Sequence, residues 1–331
     1  MKITTFMLLF SLFQLTFAQN STDFPLTSTT TVKFADKKTT ATLLAKKDDF
    51  LQALSDFDRS ARMQVAKIPT EVEFQAFVQQ QCLDWHEWEI KLVTDTLKNI
   101  QKRLAPYNLS LPAEIYLART SGKEESYASY TRMNVIILPE KTITDAVLGQ
   151  TIMHELFHVL SRNNPRLRDS LYQIIGFQLC KDFKMPESLQ KVKITNPDAP
   201  QNIHYTELEK DGKKVKVIPF LYTKMEKYDE TQQAPFFFYI ASLQEWQAKY
   251  QELKMVPTFL AVEEKNGKIV PILEKKKPVL WNMWELKGYD ETEFYTGYLI
   301  HPEEIMAENF VAMLMNKKNP ITEKIEVVLK K

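Results

Sequence analysis

His154-Glu155-Leu156-Phe157-His158, HELFH, lies in a segment whose end signals predict a helix from about Ile143 to Ser161. Thr142 with Asp145 three residues on has the form of a capping box, and Asn163, Asn164 and Pro165 supply a stop. Residues four apart on a helix share a face, so His154 and His158 can address a single ion. Glu155 can reach a water on that ion without entering the ligand set. Only five histidines occur in 331 residues, so His-Glu-x-x-His at this spacing is a specific signal. The plain alternative is a core helix whose histidines merely satisfy hydrogen bonds, and it leaves the spacing unexplained.

Two strands precede the motif, Glu114 to Ala118 and Asn134 to Leu138. The second is an apolar run suited to a sheet packed under the motif helix. At the rim of that sheet it would offer its backbone to an extended peptide; inside, it would be an ordinary buried strand. Further upstream, Phe50, Leu51, Leu54 and Phe57 recur at helical steps, and Thr70 with Glu73 forms another capping box. Asp84 reads as the cap of a helix from Trp85 to about Leu104, with Trp88, Leu92, Thr96 and Ile100 along one face. His86 has no companion at metal spacing and reads as structural or exposed. After the motif, Leu167 to Leu179 reads as a helix, and Asp211-Gly212 and Asn266-Gly267 read as hairpin turns. Residues 190–290 are therefore β-rich, with one short helix around Leu243 to Leu253, and Ile321 to Leu329 forms a terminal helix.

The chain opens MKITTFMLLFSLFQLTFAQN, one Lys before an apolar run and a small-residue exit, so residues 1–18 are expected to be a signal peptide cleaved near Ala18. Residues 19–35 begin Ser/Thr-rich and are expected to be a disordered leader. Later apolar runs are too short to span a bilayer, so the expected location is secreted or periplasmic, without membrane insertion after signal removal. Lys and Arg number 43 against 42 Asp and Glu, a balance that gives no electrostatic reason to bind nucleic acid. Cys82 and Cys180 either pair or remain buried thiols. Oligomeric state, substrate and cleavage preference are left open by the sequence.

A catalytic zinc takes three protein ligands and keeps one position open. HELFH supplies two, and no further His follows at short spacing. Glu304 and Glu308 lie four apart on a helix begun by Pro302, whose apolar side is Ile305, Met306, Phe310, Val311 and Leu314. One of these acids can bind metal while the other hydrogen-bonds a ligand imidazole. Glu303 points aside and is the poorer candidate, and a merely solvated acidic first turn is the plain alternative.

HELFH followed by Glu304-Ile305-Met306-Ala307-Glu308-Asn309-Phe310 resembles the gluzincin metallopeptidases, and the second motif is particularly similar to that of the anthrax lethal factor branch. The resemblance covers the motif helix, the strand before it and the Glu304 helix. It implies Glu304 as the third zinc ligand and Glu308 as the support of a zinc-bound His. The stretch between His158 and Glu304 is longer than in the simplest members. Tyr298 and His301, just upstream of Glu304, are the nearest oxyanion donors; the resemblance favours Tyr298, and His204 is the remaining alternative. The expected architecture is α+β. A zincin-like core over 111–189 carries a helical lobe over 36–110, a β-rich insertion over 190–290, and a third-ligand helix with a C-terminal helix in 291–331. The expected function is zinc-dependent hydrolysis of a peptide or protein substrate with Glu155 as general base. A non-catalytic, exported zinc-containing binding or scaffold protein is the second reading.

Overall fold

Val135-Ile136-Ile137-Leu138 has no polar side because the sheet it belongs to is covered on both faces. In the computed structural model, which describes residues 23–223, 227–229 and 255–331 (backbone alone at 255–257), the chain is α+β. The signal peptide expected over residues 1–18 and the helix expected around Leu243 to Leu253 lie outside the described residues. Five strands run across the first sheet in the order β1 (Phe24–Pro25), β2 (Thr31–Ala35), β4 (Glu114–Thr120), β6 (Val135–Pro139), β5 (Tyr130–Arg132), and β3 (Cys82–Leu83) pairs with the end of β4. Strands β2, β4 and β6 are parallel, and β5 returns antiparallel to form the edge. Strand β6 is thus interior, and the rim is the short β5, which has no strong sequence signature. The leader expected to be disordered supplies β1 and β2 in its described part, because Val32 and Ala35 are buried against the sheet's two faces.

On one face, Val32, Ile115, Leu117, Ile136 and Leu138 meet α5 (Glu87–Leu104) and the motif helix α7 (Leu148–Asn163). On the other, Ala35, Ala118, Val135 and Ile137 meet side chains of α1 (Lys37–Leu44), α2 (Asp49–Ala53) and α4 (Glu71–Gln81). The helices of 36–110 therefore flank the sheet on both sides. The Thr70–Glu73 capping box forms as expected. In α5 the expected stripe is rotated: Val93, Leu97, Ile100 and Leu104 are buried, whereas Trp88 is 53% and Leu92 40% exposed. Its N-cap is His86, whose backbone N–H is taken by Glu89, while Asp84 accepts from Lys37 N.

Helix α7 begins five residues later than expected. Thr142 and Asp145 do not cap it; a separate turn of helix, α6 (Glu140–Ile143), ends first, and Asp145 accepts from Val147 N in the connecting turn. Pro165 then opens α8 (Pro165–Ile174), which stops short of the expected Leu179 because Gly176 turns the chain at φ 81°.

A second sheet, in the order β12 (Lys268–Pro271), β11 (Met255–Lys265), β10 (Lys213–Thr223), β9 (His204–Lys210), β7 (Gln178–Leu179), bears out the two hairpins. Both turns place two residues at positive φ, Asp211 and Gly212 at 50° and 76°, Asn266 and Gly267 at 53° and 73°. Leu208, Val217, Leu221 and Phe259 of this sheet join the main core. The long intervening stretch therefore folds back on the body, and helix Pro302–Leu314 packs directly on α7, with the Phe157 and Phe310 rings 5.5 Å apart.

Candidate metal centre

His154 and His158 lie one turn apart on α7, with ring centroids 4.7 Å apart. Each imidazole is tied at Nδ1 to a carboxylate of the facing helix. His154 Nδ1 lies 2.9 Å from Glu308 Oε1, and His158 Nδ1 lies 2.9 Å from Glu303 Oε1. Both Nε2 atoms then point to one oxygen, Glu304 Oε2, at 3.0 Å from His154 and 3.6 Å from His158. His158 Nε2 is buried and has no hydrogen-bond partner. An imidazole held with Nδ1 as donor presents Nε2 as a lone pair, the form a metal binds.

The donor set fits a divalent ion. His154, Glu155 and His158 bring ligand-type atoms within 4.8 Å of one another, and so do His158, Asp198 and Glu304. The orphaned His158 Nε2 would be satisfied, and the surrounding acids would gain the positive charge they lack. Burial opposes charge on His154, yet hydrogen bonds to Glu304 and Glu308 raise its pKa well above the usual imidazole range. Burial likewise works against ionised Glu304, but the two imidazoles and Asn196 outweigh it and hold that carboxyl at about 2. Positive charge between the rings is therefore favoured by the acids around them.

Glu155 is buried with its Oε2 accepting from Thr131 Oγ1 at 2.8 Å. Burial, reinforced by the nearby Asp198, pushes its pKa up to about 7. A base tuned near neutrality can both take and return a proton. Thr131 belongs to the edge strand β5, so sheet and motif helix are joined at the group expected to move the proton.

Tyr298 lines the same cleft, its ring stacked on that of His154 at 6.1 Å and 25°. His301 is not brought there. It is the N-cap of helix Pro302–Leu314, its Nδ1 accepting from Glu303 N at 3.1 Å, and it faces a small separate cavity behind the helix. Burial, with His204 adding to it, lowers its pKa to about 3, so it stays neutral. Its expected role as oxyanion donor is therefore corrected to that of a cap. His204 is also buried behind the site, 3.0 Å from Asp169 Oδ1 and edge-on to Tyr172.

Three groups at the candidate site have roles there that no local sequence signal gave. Glu303, the poorer candidate for metal, proves to be the partner of His158 and also accepts from Ser161 Oγ and Tyr172 Oη. Asn196 donates to Glu304 Oε1 at 2.5 Å, and Asp198 Oδ1 accepts from Thr131 N at 2.6 Å. The loop bearing these two is locked from beneath by the buried pair Arg62–Asp58: Arg62 donates to Thr195 O, and Asp58 accepts from Thr195 N and Oγ1. A cleft of about 740 Å³ opens over His154, Glu155 and Glu304 and runs past Tyr127 to Asp145. Protein families, curated proteins and solved structures were all compared with this chain, and none matches.

Proposed function

We propose that this protein is an exported zinc-dependent peptidase built on a zincin-like core. The observation that carries the reading is the convergence of both Nε2 atoms on Glu304 Oε2 while both Nδ1 atoms are tied to second carboxylates. His154, His158 and Glu304 would hold the ion, with Glu308 and Glu303 orienting the rings. Zinc supplies a Lewis acid that polarises a carbonyl and acidifies water. Glu155, held by Thr131 and pushed up to about 7, takes a proton from the attacking water and returns it to the leaving amine. Tyr298, on the cleft wall beside His154, is the donor for the developing oxyanion.

The acidic lining of the cleft suits a peptide better than an anionic substrate such as a phosphodiester. Elemental analysis of the purified protein tests the first half of the proposal: about one zinc per chain, removed by chelation, is expected. The Glu155→Gln protein tests the second half, since it should keep its zinc and fail to hydrolyse peptides. Loss of zinc from that variant would make Glu155 a ligand and overturn the assignment of roles.

A further inference from the structure

Beyond the ion site the cleft continues between two walls. One is the opening of the motif helix, where Val147, Gln150 and Thr151 line the cleft ahead of His154. At 1.5 Å per helical residue, Val147 lies about 10 Å along the axis from His154. The other wall is the edge strand with the turn before it, residues 127–130. Tyr127 stands four residues ahead of Thr131, which holds Glu155, so at most ~14 Å of chain separates the two. The turn is tied to α6 where Ser129 Oγ and Thr142 Oγ1 lie 3.4 Å apart. At ~3.3 Å per extended residue, the far end of the cleft is about three substrate residues from the reacting bond.

Tyr127 and Lys141 build that far end. Ser126 and Tyr127 have φ 54° and 68°, left-handed values that are costly for side chains of this kind and that fix where the Tyr127 ring points. Gly122, at φ 82°, lets the turn close: Tyr127 N donates to Gly122 O at 2.6 Å, and a Cβ on Gly122 would come within 2.8 Å of Pro139 Cβ and 3.0 Å of Tyr127 Cα. Tyr127 is 40% exposed, and the Lys141 ammonium sits 4.2 Å from its ring centroid. The acids nearest Lys141 in the chain are engaged elsewhere, Glu140 with Arg119 at 3.4 Å and Asp145 with Val147 N at 3.1 Å. Lys141 itself has no ion pair among the described residues, and it is the only Lys or Arg among those lining the cleft. An ammonium steadied by a ring face keeps N–H donors for an acceptor entering the cleft. A carboxylate fits best, since it gains an ion pair here and meets acids along the rest of the lining.

We propose that Lys141, steadied by Tyr127, is a specificity-determining residue that receives a substrate carboxylate about three residues from the scissile bond, either an acidic side chain or the carboxyl end of the peptide. This rests on the hydrolase reading above, and the two can fail separately. The zinc-loaded full-length chain is given peptides of one neutral sequence carrying a single Glu at successive positions, their Gln counterparts, and both sets with free or amidated carboxyl ends. Products are mapped by mass spectrometry. Cleavage should fall about three residues from a carboxylate, and neutralising that carboxylate should raise KM about fivefold with little change in kcat, the upper range for an ion pair open to water. Loss of the preference on Glu→Gln in the peptide identifies the side chain as its source, and loss on amidation identifies the carboxyl end. Lys141→Gln should abolish the preference and Lys141→Glu should reverse it toward peptides carrying Lys, while both cleave the uncharged peptide at the wild-type rate. Added salt should shrink the wild-type preference. Calorimetry with the Glu155→Gln protein and the same Glu and Gln peptides reads binding without turnover. Equal KM for charged and neutral peptides, or a preference that Lys141→Glu leaves unchanged, overturns the inference and leaves the hydrolase reading standing. Absence of cleavage in every arm, with binding that still favours the carboxylate, overturns the hydrolase reading and leaves the carboxylate site standing. Absence of both cleavage and binding preference overturns the two together.

Discussion

Replacing Glu303 by Ala is the sharpest test of how the proposed metal centre is held. Glu303 is buried, and its two oxygens serve His158 Nδ1 at 2.9 Å, Ser161 Oγ and Tyr172 Oη. Its removal frees His158 to rotate or to change tautomer, which turns a lone pair away from the ion. Loss of such an outer partner typically weakens metal binding about 10- to 100-fold, or roughly 1.4–2.7 kcal/mol. Two buried hydroxyls and one ring N–H also lose their acceptor, at ~1–3 kcal/mol each before relaxation and the relief of no longer burying a carboxylate charge. A net loss of about 3 kcal/mol in stability is expected, the size found when one member of a buried charged network is removed. Competition with a chromogenic chelator reads the affinity, and thermal melts with and without zinc read the stability. Glu303→Gln should keep much of the affinity, since one oxygen can still accept from Nδ1. Tyr172→Phe should cost stability but leave zinc affinity nearly unchanged, because it does not orphan the imidazole. Wild-type zinc affinity in the Glu303→Ala protein would refute the reasoning, for it would mean that the Nδ1 tie does not decide where Nε2 points.

Three further outcomes are expected. Arg132 on the edge strand is buried against Asp48, Leu44 O and Lys46 O, so Arg132→Ala should cost about 3–5 kcal/mol in urea unfolding by stranding the buried Asp48. Cys82 and Cys180 are free, sit in different apolar clusters and have their thiols pushed up to about 12 by burial; neither should react with a thiol reagent until denaturant is added, when both should. Lys193 is buried against Pro200 O, and burial lowers its pKa from 10.5 to about 8. Between those values the unfolded chain binds the proton and the folded chain does not, so stability should rise with pH through this window, by at most about 3 kcal/mol. Lys193→Met should abolish that rise, and unchanged pH dependence in the variant would place its origin elsewhere.

Features set by short-range geometry were legible in the chain. The four-residue spacing of His154 and His158, the Thr70–Glu73 box, the Asp-Gly and Asn-Gly turns and Pro302 at a helix start each depend on neighbours a few residues away. Misreadings arose where tertiary contacts chose among local options. The buried face of α5 is Val93, Leu97, Ile100 and Leu104 because the sheet lies on that side, and a stripe shifted by one position is equally periodic. The motif helix starts at Leu148 because the turn after β6 needs α6 and Asp145 for its own closure.

The sequence by itself determined that two imidazoles and an acid share a helix, and that a second helix offers three acids in Glu303, Glu304 and Glu308. It set Glu303 behind the other two as a metal ligand, but it could not pair each acid with its histidine or find their companions. Only the packing of helix Pro302–Leu314 on α7 sends Glu304 between the two Nε2 atoms, Glu308 to His154 and Glu303 to His158. Likewise Asp198, Asn196 and Thr131 meet the site through a loop and an edge strand far apart in the chain. The reason is physical: spacing along one helix is set by its own hydrogen bonds, whereas the angle and register between two helices are set by every side chain buried between them.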